Sequence, residues 1–189
     1  MLVVGLGNPG ERYRRTRHNV GFMVADVLGA RAGGCRWRAE ADAVVGEAEL
    51  AGRRVALVKP QTFMNRSGVA VERLLLREAG GPQDVLVVLD DLALELGSLR
   101  VRQRGSHGGH NGLRSLIEVL GSEEIPRVRV GIRRGELAQD LAEYVLSPFP
   151  EEDVLAVQDS VSRAADAVEC FLREGCVAAM NRFNGPPRD

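Results

Sequence analysis

Val85-Leu86-Val87-Val88-Leu89 is an unbroken apolar run that stops abruptly at Asp90-Asp91. A strand with no polar alternation is covered on both faces, the mark of a parallel sheet between helical layers. Residues 2–6, closed by Gly7, Asn8 and Pro9, read as a second buried strand. Residues 43–50 and 53–58 flank Ala51-Gly52 as a β-hairpin, and 99–102 and 128–132 read as further strands. Helical spacing occupies 20–28, stopping near Gly33-Gly34; 67–78, with Ser67 as cap and Gly80-Gly81-Pro82 as stop; and 111–120. Beyond Pro150, Val154, Val157, Val161, Ala164, Val168 and Phe171 recur at helical steps, with Glu151, Glu152 and Asp153 in the first turn, where the helix dipole favours acids. Strands alternating with helices predict one α/β domain over residues 1–189: a mixed, largely parallel twisted sheet flanked by helices. Functional groups gather at the carboxyl ends of strands in such sheets. Asn8, the Lys59-Pro60 end and Asp90 each follow an apparent strand.

The 189 residues are 44% hydrophobic and 27% charged, ordinary values for a soluble globular protein. No apolar run approaches the roughly 20 residues that span a bilayer, and the N-terminus has no signal-peptide pattern. The expectation is a cytoplasmic protein with no membrane partner. A net charge of -1 excludes a uniformly basic nucleic-acid binder. The positive charge is nearly all arginine, since Lys59 is the one lysine, and it clusters at Arg12, Arg14, Arg15 and Arg17, at Arg100, Arg102 and Arg104, and at Arg127, Arg129, Arg133 and Arg134. Guanidinium forks match phosphate, so these clusters could line a nucleic-acid groove or simply form a solvated surface. Cys35, Cys170 and Cys176 are odd in number and lack metal or disulfide spacing.

Gly5-Leu6-Gly7-Asn8-Pro9-Gly10 has the G-x-G-x-x-G spacing of a dinucleotide turn. That reading needs a helix opening on the turn and an acid about 20 positions on, at a strand end. Here Glu11-Arg12-Tyr13-Arg14-Arg15-Thr16-Arg17 follows without apolar periodicity, and Asp26 falls inside a helix. The glycines are better read as shaping a turn that holds Asn8 near His18. His18 is the candidate general base: an ordinary imidazole, with a pKa of about 6.5, is mostly neutral at pH 7. Such assistance is worth about 10²–10⁴ in rate. Asp90 or Asp91 would orient it, and residue chemistry alone does not separate the two. Three loops each present an asparagine: Asn8, Asn65 after Phe63-Met64, and Asn111 after His107-Gly108-Gly109-His110. Carboxamides donate and accept without charge, which suits holding peptide carbonyls and polarising an ester without a metal. By residue type His18, His107, His110 and Asp90 could bind zinc, but His107 and His110 lie in a glycine loop rather than at i, i+4 on a helix, so no metal and no cofactor are expected. No G-x-S-x-G elbow supports a serine nucleophile.

The glycine turn with Tyr13 and Thr16-Arg17-His18-Asn19, then Lys59-Pro60-Gln61-Thr62-Phe63-Met64-Asn65-Arg66-Ser67-Gly68, the acidic pair, Gly108-Gly109-His110-Asn111-Gly112-Leu113, the Arg127 to Ile132 strand and the terminal Met180-Asn181-Arg182-Phe183-Asn184 together resemble bacterial peptidyl-tRNA hydrolase. The resemblance runs nearly end to end. It implies a monomeric, metal-free esterase that cuts the ester between a peptide and the ribose of tRNA. It implies that His18 activates water, Asp90 keeps His18 basic, and Asn8 helps distinguish blocked from free aminoacyl-tRNA. Asn65, His110 and Asn111 would hold the substrate, Tyr13, Phe63 and Met64 would line the cleft, and Arg100 and Arg102 would grip tRNA phosphate. The chain departs from the family pattern at Leu89, at Ala93, Glu95 and Leu96 after the acidic pair, at Arg104 and Ser106, and at Arg133-Arg134-Gly135. Non-catalytic, splicing-factor-like RNA binders of the same fold are the alternative, distinguished by RNA binding without ester cleavage.

Overall fold

Residues 1–136 and 139–185 are described by a computed structural model of the chain. Its strands are β1 (Leu2–Gly5), β2 (Trp37–Glu40), β3 (Ala43–Leu50), β4 (Arg53–Pro60), β5 (Val85–Glu95), β6 (Leu99–Arg102) and β7 (Arg127–Arg133). Its helices are α1 (Val20–Arg31), α2 (Ser67–Arg77), α3 (Asn111–Leu120), α4 (Leu141–Leu146), α5 (Val154–Glu174) and α6 (Cys176–Phe183). The seven strands form one sheet in the order β2-β3-β4-β1-β5-β7-β6. The central four, β4-β1-β5-β7, run parallel, while β2, β3 and β6 are antiparallel margins. Among the described residues no helix is long and apolar enough to cross a membrane.

Strand alternation sorts the core into two layers. Val3, Leu86, Val88, Val128 and Val130 pack with α1, α5 and α6. Val4, Val85, Val87, Leu89 and Val58 pack on the other face with α2 and α3. Both layers are closed, which is why β5 reads as continuous hydrophobicity.

The strand β5 does not stop at the acidic pair, as its composition suggests. It continues in register with β7 through Asp91, with an irregularity between Asp91 and Glu95. Both carboxylates have partners, so neither charge forces the chain out to solvent. Ser67 is not a helix cap: Arg66 occupies that position, and the fully buried Ser67 hydroxyl donates to Met64 O at 2.9 Å. Glu151–Asp153 form a separate 3-10 turn before α5, and buried Asp153 accepts from Arg134 Nε at 2.8 Å. The elements β2, α4 and α6 escape the sequence reading because β2 and α4 bury no residue completely and α6 buries only Ala179, so none shows a continuous apolar face.

Two glycines bring the first helix onto the sheet. A Cβ on Gly21 would lie 2.4 Å from Leu6 N and 2.5 Å from Val88 O; one on Gly5 would lie 2.2 Å from Gly21 O. Gly5 therefore serves the contact of α1 with β1, rather than the turn itself. At the far margin Asn184, just past α6, accepts from Val101 N at 2.6 Å and donates to Val101 O at 3.1 Å.

Candidate active site

Asn8 leaves the end of β1 and is gripped by Asn19, whose Oδ1 accepts from Asn8 N at 2.8 Å and whose Nδ2 donates to Asn8 O at 2.9 Å. This clamp replaces a side-chain cap on α1, where Asn19 makes none. The Asn8 Oδ1 accepts from Met64 N at 2.8 Å, tying the β1 turn to the loop after β4. That bond sets the orientation of the Asn8 carboxamide: its oxygen is engaged, and its NH₂ remains for a ligand.

His18 sits in a 3-10 turn, Arg17–Asn19, immediately before α1. Its Nδ1 lies 2.8 Å from Asp90 Oδ1 and 3.0 Å from Oδ2. Asp90 Oδ1 is also 2.9 Å from His110 Nε2, and the two imidazole centroids are 4.9 Å apart. His18 and Asp90 are 8% and 4% exposed. Burial by itself would raise the Asp90 carboxyl; the contacts of His110 and His18 with it outweigh that and hold Asp90 well below the ordinary carboxylate range. Adjacent strand residues point to opposite faces, which separates the acidic pair: Asp91 Oδ2 is 2.8 Å from Arg129 Nε and takes no part in orienting His18. Among the described residues, His18, Asp90 and His110 are the one His/Cys/Asp/Glu group whose ligand atoms, all within 4.8 Å, could surround a cation. His107 stands outside it, its Nδ1 accepting from Gly109 N at 3.0 Å.

The groups open into a cleft of about 710 Å³. Asn8, Tyr13, His18 and Asp90 line it, as do Phe63, Met64 and Asn65 from the loop after β4, and His110 and Asn111 at the start of α3. Asn65 and Asn111 are exposed, Met64 is buried, and Phe63 is 57% exposed. Arg100 and Arg102 are not in the cleft wall. They lie on β6 opposite Arg129 and Arg127, and directly opposed residues share a sheet face. Burial and the charge of Arg129 push Arg127 down to about 10. It is still charged at neutral pH, and donates to Ile125 O at 2.6 Å and Gly105 O at 2.6 Å, fixing the glycine loop that leads to His110.

Sequence reading missed one wall. Leu141, Ala142, Val145 and Leu146 of α4 face the cleft. The preceding segment of His18 holds them there. Arg17 Nη1 donates to Pro148 O at 2.9 Å and to Ser147 Oγ at 2.5 Å, and its guanidinium stacks 4.2 Å from the Tyr144 centroid. Arg17 and Asn19 flank His18 in sequence, but their partners, residues 144–148 for one and the Asn8 backbone for the other, are groups that no local pattern reveals. Lys59 moves the other way: its amine pairs with Asp26 and lies 4.1 Å from the Trp37 ring, away from the cleft-lining groups.

A sequence model of the peptidyl-tRNA hydrolase family matches residues 2–189. The peptidyl-tRNA hydrolase of Roseiflexus castenholzii (strain DSM 13941 / HLO8) is 51% identical over 187 residues, spanning 98% of this chain and 87% of that relative. The one from Brevibacillus brevis (strain 47 / JCM 6285 / NBRC 100599) is 44% identical over 183 residues, 97% of each chain. The crystal structure of peptidyl-tRNA hydrolase from Acinetobacter baumannii matches with a TM-score of 0.90 at 30% identity, covering 98% of this chain and 94% of that one. Similarity that runs through every strand and helix of the sheet, at half-identity to one relative, leaves no segment outside it: the chain belongs to the peptidyl-tRNA hydrolase family.

Proposed function

We propose that this chain hydrolyses the ester between a peptide, or an N-blocked amino acid, and tRNA, with His18 activating the water. The observation that carries the roles is the contact of His18 Nδ1 with both oxygens of buried Asp90, at 2.8 and 3.0 Å, in the wall of the cleft. With Nδ1–H donated to the carboxylate, Nε2 keeps its lone pair for water. As water's oxygen bonds to the ester carbonyl carbon, Nε2 takes its proton, and the resulting imidazolium faces Asp90. Collapse of the tetrahedral intermediate breaks the bond to the ribose oxygen. That oxygen receives the proton, leaving a free carboxyl on the peptide and a free hydroxyl on the tRNA.

The NH₂ of Asn8 is the donor for the substrate carbonyl or the N-blocking group, and Asn65 and Asn111 hold the peptide end. One donor aimed at the developing oxyanion is worth about 2.7–4 kcal/mol. Tyr13, Phe63 and Met64 supply the apolar lining. Arg100 and Arg102 are the phosphate contacts: among the described residues neither pairs with an acid, and both share a face with Arg129 and Arg127. The chain works as a monomer in the cytoplasm and takes no metal.

His18→Ala is expected to abolish turnover of N-acetyl-aminoacyl-tRNA while tRNA binding persists; near-normal turnover would remove the general base. A chelator is expected to leave the rate unchanged, and inhibition would return the metal reading. The non-catalytic RNA-binding alternative is not favoured, because its relatives in sequence carry the enzyme's name and the base, its carboxylate and the three asparagines are all present.

A further inference from the structure

The group in the cleft whose chemistry the mechanism leaves unused is His110. Its ring is committed at both ends. Nδ1 accepts backbone N–H groups from Gly112 at 3.1 Å and Leu113 at 3.2 Å. These are in the first turn of α3, and His110 is that helix's cap. Backbone amides only donate, so Nδ1 carries no proton. A neutral imidazole has one N–H, which then sits on Nε2, 2.9 Å from Asp90 Oδ1.

We propose that His110 is a positioning residue: a neutral imidazole, locked as its Nε2–H tautomer by the first turn of α3, whose one proton fixes Asp90 as the acceptor for His18 Nδ1–H. The proposal rests on His18 as the base. Oδ1 of Asp90 receives both rings, while Oδ2 receives His18 alone. With both carboxylate oxygens engaged by donors, Asp90 cannot rotate away, and His18 has one place for its proton. His110 is also a dead end for proton relay, because protonating Nδ1 would break two bonds to α3. Positive charge formed on His18 during turnover therefore stays on His18. The same lock withholds the Nε2 lone pair from a cation, so protons rather than a metal organise the two-histidine, one-carboxylate group. The cap also sets the position of Asn111, the first residue of α3.

Two measurements test this. Long-range ¹H–¹⁵N spectra of the ¹⁵N-labelled protein at neutral pH read each ring's tautomer directly. The chain has three histidines, so His107→Ala and His110→Asn assign all the signals. The expected His110 signature is the neutral Nε2–H form. An Nδ1–H or doubly protonated ring overturns the proposal whatever the activity. The second test is His110→Asn. Asparagine is among the best helix caps, so the acceptor for Gly112 and Leu113 is retained, but that carboxamide offers no donor where Nε2 stood. The expected result is a kcat at least roughly tenfold lower, part of the about 10²–10⁴ a positioned base supplies, with KM unchanged. A wild-type kcat overturns the proposal, and if KM rises with it His110 is a substrate contact instead. The ring spectrum needs no substrate, so its failure is distinct from failure of the hydrolase reading, which His18→Ala tests.

Discussion

A carboxylate shared by two imidazoles leaves each ring a single proton position, and Asp90→Asn exposes that dependence. The new carboxamide must offer its oxygen to His110 Nε2–H, which puts its NH₂ against His18 Nδ1. His18 then carries its proton on Nε2 and cannot accept one from water. We expect kcat to fall by about 10²–10⁴, with KM nearly unchanged in steady-state kinetics. The same substitution has a pH signature in stability. Asp90 titrates below its unfolded value, so its contribution is complete above about 3.9 and fades as the pH falls below that. Denaturant unfolding from pH 7 downward should show the stability gap between wild type and Asp90→Asn closing in acid; a gap that widened there would contradict the lowered value. At this scale the site was legible where a residue's own chemistry is unusual for its setting: His18 in a polar turn, asparagines in three loops, acids ending an apolar run. It was illegible where a side chain serves distant backbone, as Asn19 serves Asn8 and Arg17 serves Ser147 and Pro148.

The elements show what periodicity can and cannot report. Strands β1, β5 and β7 and helices α1, α2, α3 and α5 were readable because each buries a continuous face. Helix α4 has six residues and no buried ones, far short of the roughly 12–15 that are marginal for an isolated helix. It persists because Asp140 accepts from Ala142 N at 2.9 Å and Glu143 N at 3.0 Å, and because Arg17 pins its end. Arg17→Met keeps the apolar stem and removes the donors. Loss of hydrogen bonds from a charged group predicts about 1.5–3 kcal/mol of stability, with amide exchange rising in α4 before the sheet; unchanged exchange in α4 would show that Arg17 does not hold it. Gly21→Ala tests the other junction. Its Cβ would meet backbone at 2.4 and 2.5 Å, which cannot move without shifting β1 or α1. Overpacking of about 1–3 kcal/mol or more is expected, read as a lower thermal midpoint together with reduced activity, because α1 carries the His18 turn.

At the level of the whole molecule, two core layers on one sheet were foreseeable from the apolar run of β5. The placement of β6 beyond β7 was not, because it depends on which strands pair at long range. That placement aligns Arg100 and Arg102 with Arg129 and Arg127. If the first two contact phosphate, Arg100→Ala and Arg102→Ala should each weaken tRNA binding and lower the slope of log affinity against log salt by about 0.7–0.9, with kcat on saturating substrate unchanged. An unaltered slope would place the nucleic acid elsewhere. The sheet's outer boundary carries a separate consequence. An outermost strand ordinarily presents bare peptide groups that recruit another chain and seed aggregation. On β6 the Val101 peptide groups are already engaged by the carboxamide of Asn184, acting as a one-residue surrogate strand. On β2 the whole strand is four residues long and bears Arg38 and Glu40. Neither side is an open template, and the outward peptide groups of Val101 owe their cover to an amide 83 residues away in sequence.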